Sequence, residues 1–217
     1  MINNYLFMME EKGLRFKTVY DVGACNGLWS TTLKEDYLYE SEFIMFEANS
    51  EYNEVLKSTG IRYFNTVLSS PGRGEVEFFN GTNTGDSYYK ETTTIYDNQI
   101  PIKVPTTTLD ELIEKNNLPI PQLLKLDTQG SELDILQGAT KLLGKTELIV
   151  TELPIIEYNR GAPNISEYLE FFKSHDYIPV DVLEVHRGEE TLIQLDILFV
   201  LRSAKYQVLG PNRQVRV

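Results

Sequence analysis

Thr18-Val19-Tyr20-Asp21-Val22 is a β-branched, largely apolar run that breaks into Gly23-Ala24-Cys25-Asn26-Gly27 before helical character resumes over Leu28 to Tyr37. No other segment constrains the fold as tightly. A strand that empties into a glycine turn and then a helix opens a βαβ unit. The glycines let the chain turn sharply and let a ligand lie against bare backbone. A second apolar strand, Phe43 to Phe46, ends at Glu47, about 20 positions after Gly27, where a doubly wound fold places a carboxylate for the two ribose hydroxyls. Turn and acid together point to a nucleoside-bearing ligand.

Strand and helix patterns then alternate. A polar helix is expected from Ser50 to Ser58 and a strand over Ile61 to Phe64. From Val67 to Val104 the chain is rich in Gly and Thr, with Val76 to Phe79 as one hairpin strand, a loop from Asn80 to Glu91, and an extended Ile100 to Val104. Thr108-Leu109-Asp110-Glu111 opens a helix in the manner of a capped N-terminus. Leu123 to Asp127 is a strand, followed by Gly130 and a helix over Glu132 to Leu143. Glu147 to Thr151 is a strand ending at Glu152, and a helix follows over Ser166 to Ser174. Two last strands, Ile178 to Val185 and Leu192 to Leu201, flank the turn Arg187-Gly188-Glu189-Glu190. Alternation argues an α/β fold with a parallel sheet covered on both faces, and the closing hairpin argues an antiparallel last strand. At 217 residues one such domain fills the chain. It is expected over residues 1–203, with a short N-terminal helix near Asn3 to Glu11 and a tail over 204–217.

Charge narrows the partners. The formal net charge is −12, from 20 basic and 32 acidic residues, which opposes binding to nucleic acid or an anionic membrane. No apolar run reaches the roughly 20 residues that span a bilayer, and Met1 to Lys12 is too short and acidic for a secretory signal. The expected location is the cytoplasm. The single cysteine, Cys25, has no internal disulfide partner, and nothing has Cys/His spacing for zinc, so no metal site is read from a motif. Carboxylates converging near the sheet edge nevertheless leave a divalent ion open.

Charge also selects among nucleosides. A pyrophosphate sits on a helix N-terminus beneath G-x-G-x-x-G; here the spacing is G-x-x-x-G and Asp21 stands at its mouth. An acid repels phosphate but suits a cationic donor, so S-adenosylmethionine is favoured over a nicotinamide dinucleotide. Asp21 either meets the donor's ammonium group or caps the loop structurally. The second motif is Leu124-Lys125-Leu126-Asp127-Thr128-Gln129-Gly130-Ser131-Glu132. Asp127 lies at a strand's carboxyl end, and Lys125, two positions earlier, shares its face. An interior lysine needs an acid beside it, so Lys125 is either catalytic or half of a buried ion pair. Glu132 is read as a cap for the following helix.

Taken in order, Asp21 to Gly27, Phe46-Glu47-Ala48-Asn49, Thr108-Leu109-Asp110, Leu124 to Leu133, Gly138-Ala139 and Asp196-Ile-Leu-Phe-Val200 resemble the FkbM family of methyltransferases. The resemblance runs from about Gly13 to Arg202. It implies a Rossmann-like, doubly wound class I methyltransferase fold with a mainly parallel sheet, S-adenosylmethionine as donor, and commonly O-methylation of sugar or polyketide hydroxyls. Ala48 stands where the family often has proline, and Gln129 where it often has an acid.

The resulting expectation is an O-methyltransferase acting on a sugar or another small polyhydroxylated acceptor. A hydroxyl needs a base within hydrogen-bond reach. Asp127 is the first candidate and Glu152 the second, although Asp127 could instead hold the donor's amino group. The donor site is expected from Asp21, Gly23, Ala24, Cys25, Asn26, Gly27, Glu47, Ala48, Leu68, Ser69 and Asp127. Ser87, Tyr88, Tyr158, Arg160 and His186 are acceptor-side candidates. Competing readings are a dinucleotide-dependent oxidoreductase and a non-catalytic module that keeps only the cofactor pocket.

Overall fold

The computed structural model describes residues 15–81, 85–94 and 97–204. The expected helix near Asn3 to Glu11 and the tail beyond residue 204 lie outside the described residues. Seven strands form one sheet: β1 (Thr18–Val22), β2 (Glu42–Glu47), β3 (Arg62–Asn65), β7 (Leu123–Leu126), β8 (Leu148–Pro154), β9 (Tyr177–Gly188) and β10 (Thr191–Leu201), in the order β3-β2-β1-β7-β8-β10-β9. Pairings among β3, β2, β1, β7 and β8 are parallel, and β10 runs antiparallel to both β8 and β9. The expected doubly wound sheet with an antiparallel last strand is therefore present.

All five residues of β1 are buried, as a parallel strand covered on both faces requires. The main core joins Val19, Tyr20, Phe46, Leu124, Ile149 and Phe199 of the sheet to Leu33, Leu109, Leu136 and Phe172 of the helices. Phe172 stacks on Phe199 with centroids 3.8 Å apart, fixing α5 (Ile165–Ser174) to β10. The other helices are α1 (Leu28–Asp36), α2 (Asn53–Ser58), α3 (Leu109–Asn116) and α4 (Glu132–Gln137).

Several boundaries moved for local reasons. The expected Ser50–Ser58 helix begins as a 3-10 turn, Ser50–Tyr52, before α2. The expected capped N-terminus at Thr108 is a capping box: Glu111 N–H donates to Thr108 Oγ1, and Thr108 N–H to Glu111 Oε2. Helix α4 stops at Gly138, not Leu143. A Cβ at Gly138 would lie 2.5 Å from the Ser69 carbonyl oxygen, so the chain there lies against a neighbouring backbone. Three short strands make a second sheet, β4 (Val67–Leu68), β6 (Ile102–Thr107) and β5 (Glu75–Phe78) in that order. No helix among the described residues is long and apolar enough to cross a membrane.

Candidate functional site

The crossovers from β1 and β7 leave in opposite directions, toward β2 and β8. That reversal opens a crevice at their carboxyl ends. Gly23 ends β1 with φ +77°, and its N–H donates to the Phe46 carbonyl at 2.9 Å. A Cβ there would sit 1.8 Å from the Asp127 carbonyl oxygen. Glycine is thus what lets the exits of β1 and β7 approach each other.

A cleft of about 580 Å³ opens at this point, lined by Gly23, Cys25, Glu47, Ala48, Leu68 and Asp127 among the expected residues. Glu47 is buried at its base. Its oxygens accept from the N–H groups of Cys25 and Asn49, each at 2.7 Å. Burial pushes its carboxyl above the ordinary range; those two N–H groups oppose the shift, and nearby Asp86 and Asp21 add to it. Among the described residues three carboxylates, Glu47, Asp86 and Asp127, line the cleft and no Lys or Arg does. Thr128 Oγ1, also at this cleft, is buried without a hydrogen-bond partner. Such a lining suits a cationic ligand with hydroxyls to donate, and opposes a pyrophosphate.

Other expected donor-site residues shape the cleft from behind. Ala24 packs with Met45 and Leu56, Asn26 Oδ1 accepts from Leu28 N–H at 3.0 Å, and Gly27 begins α1 in the left-handed region. Ser69 is fully buried, with Oγ 3.1 Å from the Tyr88 hydroxyl. Asp21, also fully buried, accepts from Ser30 Oγ at 2.7 Å and from Lys125 Nζ at 3.1 Å.

Lys125 therefore has the acid that an interior strand lysine needs. Its ammonium also lies 3.3 Å from Asp127 Oδ2, 3.4 Å from the Gly23 carbonyl, and 5.5 Å from the centre of the Trp29 ring. Burial disfavours the charged form, but Asp21 and Asp127 outweigh it and hold the ammonium above its usual range. One cation ties the two strand exits together. Asp127 remains 46% exposed at its side chain, open to a ligand.

Next to Asp127 lies a second cleft, of about 740 Å³, lined by Glu132, Glu152, Ile156, Tyr158, Asn164 and Gln194 among others. Gln129 bridges toward the first cleft, its Nε2 lying 2.9 Å from Glu152 Oε2 and 3.4 Å from Asp127 Oδ1. Gln194 Nε2 donates to the same Glu152 oxygen at 2.8 Å. Burial, with Asp127, Glu132 and Asp196 around it, pushes the Glu152 carboxyl up to about 10. Glu132 departs from its expected role as a helix cap. It accepts from the N–H groups of Thr128 and Gly130 and from the Tyr168 hydroxyl, tying down the loop that carries Gln129.

Of the acceptor-side candidates, Tyr158 lines the second cleft, whereas Ser87 and Tyr88 line the first. The Tyr88 and Tyr89 hydroxyls both donate to Asp134 Oδ2, which also pairs with Arg73, and this cluster latches residues 85–89 onto α4. Arg160 is exposed and lines neither cleft. His186 lines neither cleft, but its Nε2 lies 3.1 Å from Asp196 Oδ1 and 3.8 Å from Oε1 of Glu152, which lines the second. Sequence reasoning missed Tyr52, Asp86 and Ser131 at the first cleft and Gln194 at the second. Asp86 comes from an irregular loop with no pattern to mark it. Gln194 could have been found only from the strand register that faces it to β8.

A family model described as the methyltransferase FkbM domain matches residues 21–179. Among characterised proteins, the hexuronic acid methyltransferase AglP of Haloferax volcanii is 27% identical over 113 residues, covering 50% of this chain and 45% of that relative. The match thus spans under half of the relative's length. A solved methyltransferase FkbM from Methylobacillus flagellatus KT superposes with a TM-score of 0.53 at 16% identity, covering 90% of this chain and 47% of that one. An O-methyltransferase from Bacillus cereus, in complex with SAH, gives 0.51 at 12% identity, covering 91% of this chain and 80% of that one. At these identities the likeness is one of fold.

Proposed function

We propose a reaction for this chain on one premise: it belongs to the FkbM family of methyltransferases. S-adenosylmethionine is its methyl donor, and when bound supplies a methyl group on a sulfonium centre. The reading that goes further is O-methylation of a hydroxyl on a sugar or another small polyhydroxylated acceptor. The observation that carries it is the pair of adjoining clefts, joined where Gln129 lies between Asp127 and Glu152.

In this reading the first cleft takes the donor. Glu47 faces the ribose hydroxyls, and the acid lining, with no basic residue among the described ones, favours a cationic nucleoside. The second cleft takes the acceptor, with the Tyr158 ring as an apolar platform and Asn164 and Gln194 as polar partners. Asp127, half exposed and beside the Lys125 ammonium, is the base for the acceptor hydroxyl. In the cation-free protein Glu152 keeps its proton at neutral pH, since its carboxyl is pushed up to about 10. It therefore orients the acceptor by donating a hydrogen bond. Positioning supplies much of the rate, because attack must lie in line with the departing sulfur. The hexuronic acid acceptor named for the Haloferax relative supports a carbohydrate here.

Labelled-methyl transfer into a panel of glycans and lipid-linked sugars tests this. Incorporation that is lost in Asp127→Asn supports the reading. Donor binding without transfer to any hydroxyl acceptor would favour a module that keeps only the pocket.

A further inference from the structure

The strand register at the antiparallel edge assembles an acid row of which the methyl-transfer reading uses only Glu152. Asp196 on β10 lies directly opposite Glu152 on β8 and directly opposite Glu184 on β9. Like charges facing each other across a ladder destabilise a sheet, so ionising all three acids of this row acts against the fold. His186 on β9 pairs in register with Gln194, two residues from Asp196 and on the same face. The β9–β10 register shifts on both sides of this point, between Leu192 and Gln194 and again between Asp196 and Ile197. Such irregularities re-aim side chains beside sites.

The donors converge. His186 Nε2 is 3.1 Å from Asp196 Oδ1 and 3.8 Å from Glu152 Oε1, and one ligand atom from each residue falls within 4.8 Å of the others. Oxygen ligands at about 2.1 Å from an octahedral ion stand roughly 3 to 4.2 Å apart, so small side-chain shifts would close the set. The buried Glu152 directs Oε1 at this point. Both amide donors it receives, from Gln129 and Gln194, go to Oε2. Among the described residues the nearest cationic group to Oε1 is the imidazole, 3.8 Å away and too far for a hydrogen bond.

We propose that Glu152, His186 and Asp196 bind a divalent cation, which on binding displaces to solvent the proton that Glu152 holds in the cation-free protein. Two carboxylates and one imidazole suit Mn²⁺ or Mg²⁺. Three side-chain ligands leave coordination positions for acceptor oxygens, and Glu152 belongs to the second cleft as well. The site itself stands without the methyltransferase reading; only its role toward the acceptor rests on that reading.

The test is an electron-spin-resonance titration of the full, EDTA-stripped chain with Mn²⁺, without methyl donor. One saturable site is expected in the parent protein. His186→Gln and Asp196→Asn should each weaken it at least tenfold. Glu114→Gln, which removes a surface carboxylate paired with Lys141, should leave it unchanged. Asp196→Asn, nearly isosteric, decides the matter if His186→Gln fails to fold. Only weak binding at many sites, or equal binding by the parent and Asp196→Asn, would overturn the proposal. Donor affinity is measured separately, so failure of the cation site and failure of the transferase reading remain distinguishable.

Discussion

Replacing Lys125 with methionine separates a structural clamp from a catalytic lysine. Methionine fills a similar volume but removes the ammonium that lies 3.1 Å from Asp21 and 3.3 Å from Asp127. Asp21 has no exposed surface and keeps only the Ser30 hydroxyl. Removing one partner of a buried ion pair costs about 3–5 kcal/mol, because the other charge is left uncompensated. For a chain of this size each kcal/mol moves Tm by about 2–4 °C, so a fall of roughly 10 °C is expected. Asp127, open to solvent at one side, contributes little to that loss. The double variant Asp21→Asn with Lys125→Met removes both charges and should recover most of the stability. Thermal and urea unfolding of the three variants and the parent form a double-mutant cycle. A Lys125→Met protein as stable as the parent, or a double variant no better than the single one, would refute the clamp.

Three further predictions concern the crevice. Glu47→Gln keeps a carbonyl acceptor for the Cys25 or Asn49 N–H but loses the charge, and should weaken donor binding by about tenfold or more; unchanged calorimetric affinity would remove the ribose assignment. Gly23→Ala puts a methyl against the Asp127 carbonyl in a left-handed backbone. It should lower Tm and abolish donor binding, and a crystal structure with unmoved β1 and β7 exits would contradict this. Glu152→Gln should stabilise the cation-free protein increasingly as pH rises. The carboxyl sits at about 10 in the fold against an ordinary 4.5, so between those values the folded chain holds a proton that the unfolded chain sheds, and stability falls with pH. Parallel Tm-versus-pH curves for parent and variant in EDTA would count against it.

The fold was legible because its signals are local. The apolar run Thr18 to Val22, the glycine turn and the acid at Glu47 each act within a few residues, and the Arg187–Glu190 turn announced the antiparallel edge. Helix α4 ended early because Gly138 packs against a backbone distant in sequence, which no helical period encodes. The same division holds at the site. Glu47 and Asp127 end strands, so their place follows from the sheet. Asp21 was open in the sequence between a donor contact and a structural role; its pairing with Ser30 and Lys125 depends on a neighbouring strand and so could not be read locally. The acid row of Glu152, Asp196 and Glu184 depends wholly on pairing between strands, and so is invisible in one dimension.

The central claim is that an acid-lined crevice between β1 and β7 holds a cationic nucleoside. Isothermal calorimetry on the purified chain tests it most directly, with S-adenosylmethionine, S-adenosylhomocysteine and a nicotinamide dinucleotide titrated in turn. Saturable heat from the first two and none from the third is predicted. Heat from the dinucleotide alone, or from none of the three, would contradict it.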